Sequence, residues 1–92
     1  MGYRYEFSKQ FQRGLIKIEK GDPNRINKIK QMIGLIINNP FNEKLNFEKL
    51  SGEKRKNIYR YYIGMKYRLK IEIIFNEKQI KFLKIGRREN FY

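Results

Sequence analysis

The groups best suited to handling phosphate stand at the C-terminus, in Ile80-Lys81-Phe82-Leu83-Lys84-Ile85-Gly86-Arg87-Arg88-Glu89-Asn90-Phe91-Tyr92. Large apolar residues broken by lysines read as a strand, and Gly86 is expected to end it. Two adjacent arginines follow, and Tyr92 comes four residues after Arg88. Guanidinium groups present parallel N–H donors that match phosphate oxygens and keep their charge at neutral pH. A strand delivering such groups and a phenol to one edge of a sheet is a phosphate-handling surface. The same residues also suit a solvated basic tail, the usual state of a chain end.

Composition narrows the chemistry. The 92 residues carry 22 Lys and Arg against 9 Asp and Glu, a formal net charge of +13. So large a charge repels itself and calls for an anionic partner: nucleic acid, an acidic protein or a lipid surface. The basic residues are interleaved with apolar ones, which argues for a folded domain over a disordered arm. Cysteine and histidine are both absent. Thiolate metal sites, disulfides and imidazole acid–base catalysis are therefore unavailable, and no metal or other cofactor is expected. Proton transfer falls to Tyr, Lys, Arg, Asp or Glu. No apolar run is long enough for a membrane span and the N-terminus does not resemble a signal peptide, so a cytoplasmic protein is expected.

The positioning elements follow from periodicity. Tyr3, Tyr5 and Phe7 alternate with Arg4 and Glu6 as in a half-buried strand. Ser8 is a helix cap, and Phe11, Leu15 and Ile18 form one face of a helix to about Lys20, weakened by Gly14. Gly21-Asp22-Pro23 ends that helix and begins another, with Asp22 as N-cap. Ile26, Ile29, Ile33, Ile36 and Ile37 form a core-facing stripe that stops at Asn38-Asn39-Pro40. Residues 41–56 show no clear period, though Leu45, Phe47 and Leu50 can tack them to the body. Ile58 to Ile63 reads as a strand, Gly64-Met65-Lys66 as a tight turn, and Tyr67 to Phe75 as a long strand. Asn76-Glu77-Lys78 reads as the loop before the last strand.

The expected fold is α+β, a single domain over residues 1–92. Its order is strand-helix-helix-strand-strand-strand, an antiparallel sheet with a helical hairpin on one face. The first strand joins at an edge or inserts. The other sheet face stays open, and Arg60, Arg68 and Lys70 are the side chains expected on it. Tyr3, Tyr5, Tyr59, Tyr61 and Tyr67 are expected to pack.

Three stretches carry a family resemblance. Ile58-Tyr59-Arg60-Tyr61-Tyr62-Ile63-Gly64, then Tyr67-Arg68-Leu69, then Ile85-Gly86-Arg87-Arg88 ending in Tyr92, resemble the RelE/ParE superfamily of bacterial and archaeal toxins. The element order and length extend the resemblance to essentially the whole chain. In the RelE branch it implies an endoribonuclease that cleaves messenger RNA on the ribosome, with ribosomal RNA contacts, and that is silenced by an acidic RelB-like antitoxin. A heterotetramer with that antitoxin is one assembly it allows. By the same resemblance Arg68, Arg88, Tyr92 and Arg60 fall on functional positions. Lys54, Arg55, Lys56, Lys66, Lys70 and Arg87 are the further candidates for RNA contact. The departures are Tyr62 where the family has a second cation, Arg87 in place of a histidine, and a hairpin one residue longer. In addition, Tyr92 ends the chain and so sets a carboxylate beside the phenol.

The chemistry implied is attack of the ribose 2′-hydroxyl on the adjacent phosphate. Arg68 and Arg88 would steady the charge that builds on phosphorus, with Arg60 assisting. Arginines crowding Tyr92 favour its phenolate, making it a base or proton donor. Three other readings fit the same sequence. They are a ParE-like toxin that inhibits gyrase without cleaving nucleic acid, a non-catalytic basic nucleic-acid-binding module, and an inactive scaffold for the antitoxin.

Overall fold

The computed structural model describes residues 2–52 and 57–91. Lys54, Arg55, Lys56 and Tyr92, all named above as candidates, lie outside the described residues. Strand β1 (Arg4–Phe7) leads into helices α1 (Lys9–Gly21) and α2 (Pro23–Asn38). Strands β2 (Phe47–Lys49), β3 (Ile58–Ile63), β4 (Tyr67–Ile74) and β5 (Gln79–Arg87) follow, and a 3-10 turn, Arg88–Phe91, closes the described chain. The sheet order is β1-β5-β4-β3-β2. β1 lies parallel to β5 at one edge, and all other pairs are antiparallel.

Each helix forms where the sequence supplies both a face and an end. Ser8 Oγ accepts the Phe11 N–H at 3.0 Å and donates to the Leu83 carbonyl at 2.9 Å, so one hydroxyl caps α1 and ties it to β5. Phe11 and Ile18 of α1, with Ile26, Ile29, Ile33 and Ile36 of α2, are buried against one sheet face. From the sheet, Tyr61, Ile63, Leu69, Ile71, Ile73, Ile80, Phe82 and Ile85 meet them. Period-two alternation on the strands and the isoleucine stripe on α2 therefore place the core as expected, and leave the opposite sheet face to β3, β4 and β5.

Five local expectations need correction. Residues 41–56, read as irregular, contain β2, which pairs Phe47 with Tyr61, Glu48 with Arg60 and Lys49 with Tyr59. Three residues are too few to display a period, so pairing with β3 makes this strand. Gly86 does not end β5. It lies inside the strand opposite Arg68, and its φ is not positive. Asp22 takes the N-cap position of α2 but makes no capping bond with its side chain. Its carboxylate instead accepts from Tyr67 Oη at 3.0 Å and Lys66 Nζ at 3.2 Å. The loop read as Asn76-Glu77-Lys78 is a 3-10 turn, Phe75–Glu77, followed by Lys78 at φ 49°. Tyr5, expected to pack, is half exposed because β1 is an edge strand.

Gly14 has a packing reason. A Cβ there would stand 2.4 Å from the Ile85 carbonyl oxygen and 2.8 Å from Ile85 Cγ2. Only glycine lets α1 lie this close to β5, the strand that leads to Arg87 and Arg88.

Candidate nucleic-acid interface on the open sheet face

Cross-strand register stacks the basic residues into rows. Arg60 faces Glu48 on one side and Lys70 on the other, and Lys70 faces Lys84. In the next row Tyr62 faces Arg68, and Arg68 faces Gly86. Directly opposed residues of adjacent strands stand about 4.5–5.5 Å apart at Cβ, and like charges so placed repel. Arg60, Lys70 and Lys84 therefore gather three positive charges in one row, which Glu48 offsets in part at Arg60.

Arg68 is the most constrained of these groups. Only 9% of the residue is exposed. Its guanidinium lies 4.4 Å from the centre of the Tyr62 ring, and Nη1 donates to the carbonyls of Tyr67 at 2.7 Å and Gly64 at 3.2 Å. Its buried Nε has no hydrogen-bond partner among the described residues. Arg60 binds Glu48 through an ion pair, and Tyr62 Oη donates to the same carboxylate oxygen at 2.7 Å. The hydrogen bonds from Tyr62 and Arg60 hold Glu48 below the ordinary carboxylate range. Glu48 in turn raises the Arg60 guanidinium above its ordinary value, outweighing partial burial.

Arg88 begins the closing turn, and its N–H bonds the Lys66 carbonyl at 3.0 Å. It lines a shallow hollow with Met65, Lys66, Arg87 and Glu89. Arg87 stands 4.0 Å from Glu89. The turn then folds back: Lys84 Nζ donates to the Asn90 carbonyl at 2.7 Å and lies 4.6 Å from the Phe91 ring centre. A Cβ on Gly86 would stand 3.8 Å from Phe91, so the chain end approaches the row that carries Arg68. Arg68, near the start of β4, and Arg88, in the turn that follows β5, thus lie at the same end of the sheet, though Arg88 lines its own hollow. Arg60 sits one row away, and Lys70 lies between Arg60 and Lys84. Lys66 turns toward Asp22 and lies 5.6 Å from the Tyr67 ring centre. Partial burial pushes the Asp22 carboxyl up, but the hydrogen bonds from Lys66 and Tyr67 and the charges of Lys66 and Arg25 bring it below its ordinary value. A cleft of about 270 Å³ opens beside this clamp, with Lys17, Tyr67, Lys84 and Arg87 among its walls.

Similarity to solved structures extends over nearly the whole chain. An archaeal RelE–RelB complex from Pyrococcus horikoshii matches at TM-score 0.75 and 27% identity, over 96% of this chain and 97% of that one. A RelB–RelE antitoxin–toxin complex from Methanococcus jannaschii matches at TM-score 0.73 and 28% identity, over 94% and 93%. The chain has the RelE-type fold. The E. coli DinJ–YafQ toxin–antitoxin complex shares that fold at TM-score 0.78 and 20% identity, over 100% and 99%. No protein-family model matches the sequence, and no curated protein does. No helix among the described residues is long and apolar enough to cross a membrane.

Glu48 is the member of this face that the sequence reading lacks, because β2 reads as irregular. Tyr62 falls on the Arg60 face by alternation, but its contacts with both arginines do not show in the pattern. The available signal was the spacing of Leu45 and Phe47, which puts Glu48 on the opposite side of the backbone from both.

Proposed function

We propose that this chain is the toxin of a type II toxin–antitoxin pair and acts as an endoribonuclease on messenger RNA held by the ribosome. The observation that carries the proposal is the open face of a RelE-type sheet, where Arg60, Lys70 and Lys84 share one row and Arg68 stands in the next, beside the turn that begins at Arg88. In the reaction, the ribose O2′ forms a bond to phosphorus while the bond from phosphorus to O5′ breaks. The products are a 2′,3′-cyclic phosphate and a 5′-hydroxyl. The 2′-hydroxyl proton passes to a base, and a proton is delivered to the leaving O5′.

Arg68 and Arg88 stabilise the negative charge gathering on the phosphoryl oxygens, and Arg60 assists once phosphate competes with Glu48 for its guanidinium. Tyr92 is assigned the proton-transfer role on the strength of the sequence resemblance. Lys70, Arg87 and the run Lys54-Arg55-Lys56 hold the message by charge, and Lys66 joins them if RNA draws it from Asp22. The reaction proposed here uses no metal. So small a site leaves much of the rate to positioning, which can supply roughly 7–11 kcal/mol of a barrier. A ribosome that holds the message in line would provide it. The partner is an acidic RelB-like antitoxin in the cytoplasm, drawn by the +13 charge. The solved complexes of similar fold pair their toxins with RelB or DinJ.

Primer extension on message from cells producing the protein tests this reading. Wild type should leave discrete cuts, and Arg88→Ala should lower cutting at least about tenfold while the protein stays folded, since a lost charge-assisted contact to the transition state costs about 2–4 kcal/mol. Equal toxicity of Arg88→Ala and wild type would remove the assignment. Inhibited supercoiling with intact message would put the chain with gyrase inhibitors.

A further inference from the structure

By the family resemblance Tyr62 falls where a cation is expected, and two guanidiniums border it instead. Its ring centre lies 4.4 Å from the guanidinium of Arg68 and 5.7 Å from that of Arg60. The negative face of an aromatic ring attracts a cation, whereas a lysine or arginine here would repel both neighbours. The ring is also anchored at its far end, because its hydroxyl donates to Glu48 Oε1 at 2.7 Å. Arg60 binds that same oxygen. One carboxylate therefore fixes the row that holds Arg60 and, through the phenol, the platform under Arg68.

Arg68 needs such a platform. Although Arg68 is only 9% exposed, its long side chain has other rotamers that would carry the guanidinium away from the Tyr62 ring. The carbonyls of Gly64 and Tyr67 hold Nη1, and the Tyr62 ring lies against the guanidinium. Among the described residues Glu48 makes no hydrogen bond or ion pair with Arg68, and it reaches Arg68 by way of Tyr62.

We propose that Glu48 is a positioning residue that acts through Tyr62 to set the orientation of the Arg68 guanidinium, a device by which this chain dispenses with the missing cation. The kinetic consequence rests on the nuclease reading above, whereas the geometric one does not.

The test uses the full chain labelled with 15N-arginine, with the Arg68 Nε–Hε resonance assigned by its loss in Arg68→Lys. Ring stacking should displace that Hε resonance upfield in wild type. The displacement should vanish in Tyr62→Leu, shrink in Glu48→Ala, and recover in part in Glu48→Gln, whose amide oxygen still accepts the phenol proton. Single-turnover cleavage of ribosome-held message should fall on the order of tenfold in Glu48→Ala and Tyr62→Leu, with the half-saturating complex concentration nearly unchanged. Tyr62→Phe, which keeps the ring and loses the tether, should fall between. An Arg68 resonance that ignores both Glu48→Ala and Tyr62→Leu overturns the proposal, as does a moved resonance with an unchanged rate in an active protein. If wild type cuts nothing while the resonances respond as described, the positioning stands and the nuclease reading falls. Where Glu48→Ala does not fold, Glu48→Gln and Tyr62→Phe carry the same comparison.

Discussion

Alanine should stabilise the protein at one of two helix-interior glycines, Gly34, and fail to do so at the other, Gly14. Gly14 and Gly34 both lie inside helices, so alanine at either site gains about 1 kcal/mol of helix propensity. At Gly34 a Cβ meets nothing within 4 Å, and that gain is the whole effect. At Gly14 it would stand 2.4 Å from a backbone oxygen of Ile85, well inside van der Waals contact. The oxygen belongs to a paired strand and cannot swing aside as a side-chain tip would, so α1 and β5 must separate. Overpacking of this kind costs about 1–3 kcal/mol or more, enough to cancel or exceed the propensity gain. Gly34→Ala should therefore raise Tm by about 4–8 °C, while Gly14→Ala leaves it level or lowers it by several degrees. Urea titrations followed by circular dichroism would measure both free energies. If Gly14→Ala proves as stabilising as Gly34→Ala, the close approach of α1 to β5 is wrong, and with it the placement of the strand leading to Arg88.

Two further outcomes follow from single groups. Tyr61 is fully buried, its hydroxyl donates to the Pro40 carbonyl at 2.6 Å, and burial pushes its ionisation up. Tyr61→Phe strands that carbonyl and should cost about 1–3 kcal/mol by urea unfolding, and an unchanged midpoint would mean the bond contributes nothing. Glu48 and Asp22 both titrate below their ordinary values when folded, so the unfolded chain takes up protons first as pH falls. Their stabilisation is complete above about pH 5 and is lost as pH drops through those ordinary values toward the folded ones. The stability gap between wild type and Glu48→Gln should thus be widest near neutrality and narrow by about pH 3, and a gap that widens in acid would reverse the sign of this coupling.

The sequence made the framework legible because its signals are long. Five isoleucines define α2 over several turns, and the alternation from Tyr67 onward defines β4 over eight residues. Alternation in β3 and β4 put Arg60, Arg68 and Lys70 on one face, and their cross-strand register agrees, although Arg68 is largely buried there. What stayed hidden depends on tertiary partners. β2 is three residues long and owes its form to Tyr59 and Tyr61 across the ladder. Asp22 looks like a helix cap in one dimension, yet two donors from the β3–β4 turn and β4 claim its carboxylate. Gly86 looks like a strand end but sits within β5 opposite a large arginine. The link from Glu48 to Arg68 spans three strands and runs through an aromatic ring, a connection no local pattern encodes.

The proposed nuclease needs Arg68 of the open face and Arg88 of the closing turn to act on one phosphodiester, which a cleavage measurement tests. Purified protein is mixed with a programmed ribosome carrying end-labelled message, and single-turnover cleavage is compared with that of an Arg68→Ala Arg88→Ala double variant. Wild type should yield a fragment ending in a 2′,3′-cyclic phosphate, and the folded double variant should lose nearly all of it. Message left intact by wild type, or cut equally well without either arginine, would contradict it.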